Sequence, residues 1–198
     1  MNNNLNNCFC RNDNTDSFTK WLLQLLGPVI FGVKPAEIIS FPYSDKQNLY
    51  RLTEIKHILH KNSKISYKEF SYCNKCTKIL FYNSAELNNT LSEYRNLKFL
   101  KSIGYPNNYD FDIYLDFIIE KMKTGNIPDE IGIFLGYPLK DVLGFIGHPS
   151  LKLTKINGWR VYGDSRISDI KYMQFINAKN KMKELLNYHN VNNVLKAI

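Results

Sequence analysis

Three groups of residues in this chain have the types and spacing to do chemistry. Cys73-x-x-Cys76 sets two thiols at the separation from which both reach one tetrahedral zinc ion. Cys8 and Cys10, with His57 and His60 one helical turn apart, would supply further soft ligands. A redox dithiol would need a strand–Cys-x-x-Cys–helix context, which does not follow here. Structural zinc at Cys73 and Cys76 is therefore the metal reading. Nothing in the chain implies an organic cofactor, since it has no P-loop, Gly-x-Gly-x-x-Gly or Gly-x-Ser-x-Gly pattern.

The second group is Gly136-Tyr-Pro-Leu-Lys-Asp141. A helix starting at Pro138 would expose backbone N–H groups beside Lys140, an arrangement that holds a phosphate or carboxylate. The same residues have structural uses: Gly136 and Pro138 make a turn, Tyr137 packs, and Asp141 offsets the helix dipole. The third group is Lys34 with Trp159, Arg160, Tyr162 and Asp164. Brought together, these would give an aromatic floor with basic rims, suited to a planar anion. Gly132 and Gly144 would let a second backbone or a ligand come close. His148, beside Pro149, stands alone in a loop, and no Ser/His/Asp set is visible.

Regular elements must position these groups. Helical spacing of Phe18, Trp21, Leu22 and Leu25 predicts a helix over 16–26, ended by Gly27-Pro28. A buried strand is expected over 36–41. Ser44 and Gln47 have capping-box spacing ahead of a helix over 45–60. Strands over 65–72 and 78–82 flank the short Cys73–Thr77 connector and read as an antiparallel hairpin. Ser84 is placed to cap one long helix over 85–103, and another helix spans 108–123 with Gly125 just beyond it. Pro128 fits the first turn of a short helix closed by Gly136, and Pro138 starts a second, closed by Gly147. Trp159–Tyr162 reads as a last strand after an Asn157-Gly158 turn. A final helix capped by Asp164 or Ser165 runs to about residue 187.

The 198 residues suit one domain, because halving the chain would starve each half of core. The organisation expected is a tail over 1–14, a single α+β domain over 15–187 and a frayed end over 188–198. Within the domain a small, mostly antiparallel sheet of about four strands would pack with about six or seven helices. Net charge is +8, and residues 151–198 hold nine Lys/Arg against three Asp/Glu. Such a basic region meets nucleic acid or an acidic partner, or is simply a solvated helix face. No stretch approaches the ~20 apolar residues of a membrane span, and the Asn-rich start is not a secretory leader. The expected location is the cytoplasm, with reduced thiols.

The run Glu130-Ile-Gly-Ile-Phe-Leu-Gly-Tyr-Pro-Leu-Lys-Asp-Val-Leu-Gly-Phe-Ile146, followed by Gly158-Trp-Arg-Val-Tyr-Gly-Asp164, resembles the bacterial family catalogued as domain of unknown function 3793. Gly32-Val-Lys-Pro-Ala-Glu-Ile-Ile-Ser40 is similar to that family's N-terminal Gly-x-Lys segment. The resemblance spans roughly residues 18–185. Where family members often carry His-Cys-Ala-Pro, this chain has Leu25-Leu-Gly-Pro28, so any chemistry of that pair would be absent. Arg160 stands where Lys is usual, which keeps the charge. The family is uncharacterised, so the resemblance implies no activity.

Three functional classes follow. The first is a non-enzymatic module that binds a partner protein or a small anionic ligand. The second is an enzyme with its site between the Gly-Tyr-Pro corner and the last strand, using Lys34, Asp141, Tyr162 or Asp164. The third is nucleic-acid binding through residues 151–198.

Overall fold

The computed structural model describes residues 15–60, 65–72, 75–191, 193 and 194. The expected tail over 1–14 lies outside them. The first helix, α1 (Thr15–Ile30), buries Phe18, Leu22, Leu26 and Val29 along one face. It does not stop at Gly27-Pro28. Proline removes one N–H from the ladder, but Gly27 lies against the final helix, α8 (Arg166–Tyr188), where a Cβ would sit 2.7 Å from Cβ of Met182. The glycine marks where two helices touch, and packing there outweighs one lost hydrogen bond. The chain turns away only at Gly32 (φ 65), which lets the N–H groups of Val33 and Lys34 both donate back to the Pro28 carbonyl.

Strands β1 (Ala36–Pro42), β2 (Ser66–Tyr72) and β3 (Cys76–Tyr82) form an antiparallel sheet in the order β1-β3-β2, with β2 and β3 the expected hairpin. Central β3 is buried along nearly its whole length, because both faces of the sheet are covered. Alternation assigns the faces. Ile39, Phe41, Ile79 and Phe81 pack with α1, with Ile55 of α2 (Asn48–His60), and with Met182 and Leu186 of α8. Beyond α8, Val194 joins this core. Ala36, Ile38, Phe70, Leu80 and Tyr82 face the other way. They meet α3 (Ser84–Ser92), α4 (Tyr94–Ser102), α5 (Phe111–Lys123) and α6 (Ile131–Phe134). Each fully buried aliphatic or aromatic side chain is worth about 1.5–3 kcal/mol.

Several boundaries differ from the sequence reading. Helix α2 begins at Asn48, and Asp45, not Ser44, accepts from the Gln47 N–H. Asp45 also holds the buried guanidinium of Arg51. The single helix expected over 85–103 is two. Glu93 breaks it with an extended ψ of 130 and caps α4 by accepting from the Asn96 N–H. Asn83, not Ser84, caps α3, and Asp110 caps α5. Pro128 precedes α6 in a turn, and Pro138 is the N-cap, not the first residue, of α7 (Leu139–Ile146). Gly125, Gly136 and Gly147 take the positive φ expected of them. Gly158 (φ 73) joins β4 (Leu153–Asn157) to β5 (Trp159–Tyr162), and these two strands form an antiparallel sheet of their own.

Behind α6, Tyr105 is buried and donates to Oε1 of Glu130 at 3.3 Å, and Lys121 pairs with the same carboxylate. Burial, then the Glu130 charge, pushes the Tyr105 phenol well above its ordinary value of 10.0. Below that ordinary value both states keep the proton and the contribution is whole; above it the unfolded chain ionises and the folded chain does not. Stability is therefore expected to fall above about pH 10, by about 1.4 kcal/mol per pH unit for each such tyrosine. Thermal melts across alkaline pH should show a shallower fall for Tyr105→Phe, while an unchanged fall would remove Tyr105 as its source.

Candidate functional site

The corner between α6 and α7 is built by local hydrogen bonds. Gly136 (φ 78) donates to the Ile133 carbonyl at 2.9 Å, and Tyr137 donates to Gly132 at 2.8 Å. Helix α7 then carries Asp141 in its first turn, pointed inward and only 2% exposed. Four donors surround its carboxylate. Lys140 Nζ (2.6 Å) and the Tyr162 backbone N–H (2.9 Å) reach Oδ1. Trp159 Nε1 (2.8 Å) and Ser168 Oγ (2.6 Å) reach Oδ2. One side chain thus ties together α7, β5 and α8. Lys140 completes the network by donating to the Tyr162 carbonyl at 2.9 Å and to Ser168 Oγ at 2.8 Å. Its three protons are all committed, so Lys140 is not the free cation expected at an anion site. Asp141 does more than offset a helix dipole, and its acceptor positions are filled.

Trp159, held by that bond, stacks on Tyr137 with ring centres 4.6 Å apart and planes 15° from parallel. Phe175 and Tyr172 pack behind it. Lys34 is buried, pairs with Glu37 at 2.7 Å, and lies 5.4 Å over Phe175 and 5.7 Å over Tyr137. Burial lowers its pKa, but the Glu37 and Tyr137 oxygens more than offset this and hold it above the ordinary lysine value. Lys34 is a charged structural group at this site.

Between the α6–α7 corner and the β4–β5 hairpin lies a cleft of about 220 Å³. Of the sequence candidates, Gly132, Tyr137, Asp141, Trp159 and Arg160 line it. Lys34, Gly136, Lys140 and Tyr162 do not. Gly136 backs onto Pro35, and Tyr162 packs against Gly144, which has no room for a Cβ there. Gly132 is likewise closed by Val142 and Tyr137. Gly144 therefore admits a neighbouring side chain and not a ligand, whereas Gly132 lines the cleft itself, in a place with no room for a Cβ. The remaining walls are Ile127, Pro128, Ile131, Leu135, Val142, Phe145, Ile156 and Gly158, with Asp129 at the lip. The sequence reading missed these. Arg160 is exposed, sits 5.7 Å over the Phe145 ring, and pairs with no carboxylate among the described residues.

The chain matches the family model described as Protein of unknown function (DUF3793) over residues 22–195. It belongs to the DUF3793 family. No curated protein and no solved structure matches it.

Two of the segments that carried the resemblance meet in the Asp141 network. The Gly-Tyr-Pro corner of this DUF3793 protein supplies Tyr137 and Asp141, and its Gly-Trp-Arg-Val-Tyr segment supplies Trp159, Arg160 and the Tyr162 N–H. An enzyme reading would need Lys34, Asp141, Tyr162 and Asp164 around one cavity. Instead Lys34 is on Glu37, and Asp164 is at the surface on Arg166, whose hydrogen bonds hold the Asp164 carboxyl down at about 2. Several cations of the basic C-terminal region are engaged within the chain: Lys155 with Asp169, Arg166 with Asp164, and Lys181 over the Phe31 ring. Cys8, Cys10 and Cys73, and the side chains of His57 and His60, lie outside what the structure describes. Cys76 is half-buried at the start of β3, and among the described residues no three His, Cys, Asp or Glu gather as a metal site. Among the described residues, no helix is long and apolar enough to cross a membrane.

Proposed function

We propose that this DUF3793 protein is a binding module whose cleft takes a residue-sized apolar group bearing one negative charge. The observation behind the reading is the contrast between floor and rim. The floor polar groups are satisfied within the protein: Asp141 accepts from four donors and Lys140 donates three times. The rim carries Arg160, the one cation lining the cleft among the described residues. A saturated carboxylate is a poor general base, since it has no lone pair left to take a proton. Apolar and aromatic walls with one oriented cation suit the capture of a small apolar anion. Asp129 on the lip disfavours a second negative group.

Trp159 forms part of the wall and can report binding once Trp21→Phe removes the other of the two tryptophans. Phenylacetate is expected to give a saturable fluorescence change, phenylacetamide a weaker one, and phenethylamine none. Arg160→Gln should weaken phenylacetate at least about tenfold, the size of one charge-assisted hydrogen bond. Equal responses to all three compounds, or none to any, would sink the reading.

A further inference from the structure

The β4–β5 hairpin has an open edge beside the cleft. Among the described residues β4 pairs only with β5, and four of its five residues are exposed. An edge of this kind presents unpaired backbone N–H and C=O groups to any extended chain. The two faces of the strand differ. Ile156 lies opposite Arg160, both lining the cleft, and Leu153 lies opposite Tyr162. Leu153 and Ile156 are 51% and 68% exposed, so this face offers apolar surface. Lys155 faces away from the cleft and reaches Asp169 of α8. From Leu151 to Gly163 the chain carries Lys152, Lys155 and Arg160 and no carboxylate.

We propose that this edge receives an extended segment of a partner protein, in which acidic residues alternate with apolar ones, and that one apolar side chain of that segment enters the cleft, with a backbone carbonyl of the segment meeting Arg160 where a small ligand would place its carboxylate. The inference rests on reading the cleft as a binding site. Charge selects the occupant. A second copy of this chain would bring the same cations face to face across the new strand pair, which like charges disfavour. The irregular register between Leu153 and Lys155, with Lys155 itself, also guards the edge against neutral strands. An acidic strand turns that guard into attraction, directly at Lys152 and at Lys155 by competing with Asp169. Alternation places its apolar side chains over Leu153 and Ile156 and its acidic ones toward the lysines. Volume agrees: about 220 Å³ is below the ~300–1,000 Å³ of small-molecule sites and fits one delivered side chain.

The test uses the full chain carrying Trp21→Phe and a blocked peptide of about six residues that alternates glutamate with valine and phenylalanine. The peptide is expected to slow amide exchange across 153–157 and to change Trp159 fluorescence. Methylating two of its backbone nitrogens on the pairing edge should weaken it about tenfold or more, the loss of two ladder hydrogen bonds. The lysine counterpart should not bind. If the methylated peptide binds as well as the parent, strand addition is wrong while the cleft reading survives. Strand addition is equally wrong if phenylacetate binds and the peptide does not. Slowed exchange without any change at Trp159 would overturn the link between edge and cleft. If neither phenylacetate nor the peptide is felt at Trp159, the cleft reading itself fails.

Discussion

Asp141→Ala is expected to destabilise the protein by about 3–5 kcal/mol, the range for breaking a buried charged pair from one side. The size follows from what is left behind. Removing the carboxylate strands the Trp159 indole N–H, the Tyr162 backbone N–H and the Ser168 hydroxyl and takes from the Lys140 ammonium its counter-charge and one of three acceptors, all four groups lying within 2.9 Å of it now. Each is a buried or half-buried donor, and an unmet donor in a dry setting carries its full desolvation penalty. Asp141→Asn keeps the shape but offers one acceptor oxygen and turns an NH₂ toward other donors. Its loss should be smaller, about 2–3 kcal/mol. Chemical denaturation at constant m-value measures both. The coupling is equally testable. Trp159→Phe removes the indole donor, so Asp141→Asn and Trp159→Phe together should lose about 1 kcal/mol less than the sum of the singles. Additive losses, or an Asp141→Ala cost below about 1 kcal/mol, would mean that the four hydrogen bonds do not hold the hairpin to α7.

The sequence made the α+β class, the β2–β3 hairpin and the β5 strand legible because those signals are local. Alternating apolar residues and turn glycines act within a few positions. Gly27-Pro28 misled for the same reason. Its local preference is to end a helix, and only the distant Met182 explains why the helix continues. The break at Glu93 carried no glycine or proline, since the residue caps the next helix with its own side chain. At the site, Asp141, Trp159 and Arg160 stood out as residue types. What could not be read was direction. Ser168 lies 27 positions from Asp141, and no spacing rule links them. Lys140 looked like a surface cation beside a helix start, yet it turns inward because three acceptors wait there. Glu37, three residues from Lys34, was a pairing signal present in the sequence itself.

Gly136→Ala separates what the corner does for the fold from what the cleft does for a ligand. Two costs combine at this residue. Its φ of 78 lies in the left-handed region, where a Cβ adds about 1–2 kcal/mol. That Cβ would also sit 2.5 Å from Cδ of Pro35, in a ring fixed to the backbone ahead of β1. Overpacking a rigid contact adds about 1–3 kcal/mol. The expected loss is therefore about 2–5 kcal/mol by combining the two. Gly147 provides the control. Its φ is 106 and nothing lies within 4 Å of a Cβ built there, so Gly147→Ala should lose only the conformational part. The difference between the two variants measures how firmly the α6–α7 corner is seated on the segment entering the sheet. Equal losses would show that Pro35 yields, leaving the corner free to move relative to β1. A larger loss at Gly136, with phenylacetate affinity unchanged in the fraction that remains folded, would place this glycine in the frame of the site and not among its contacts.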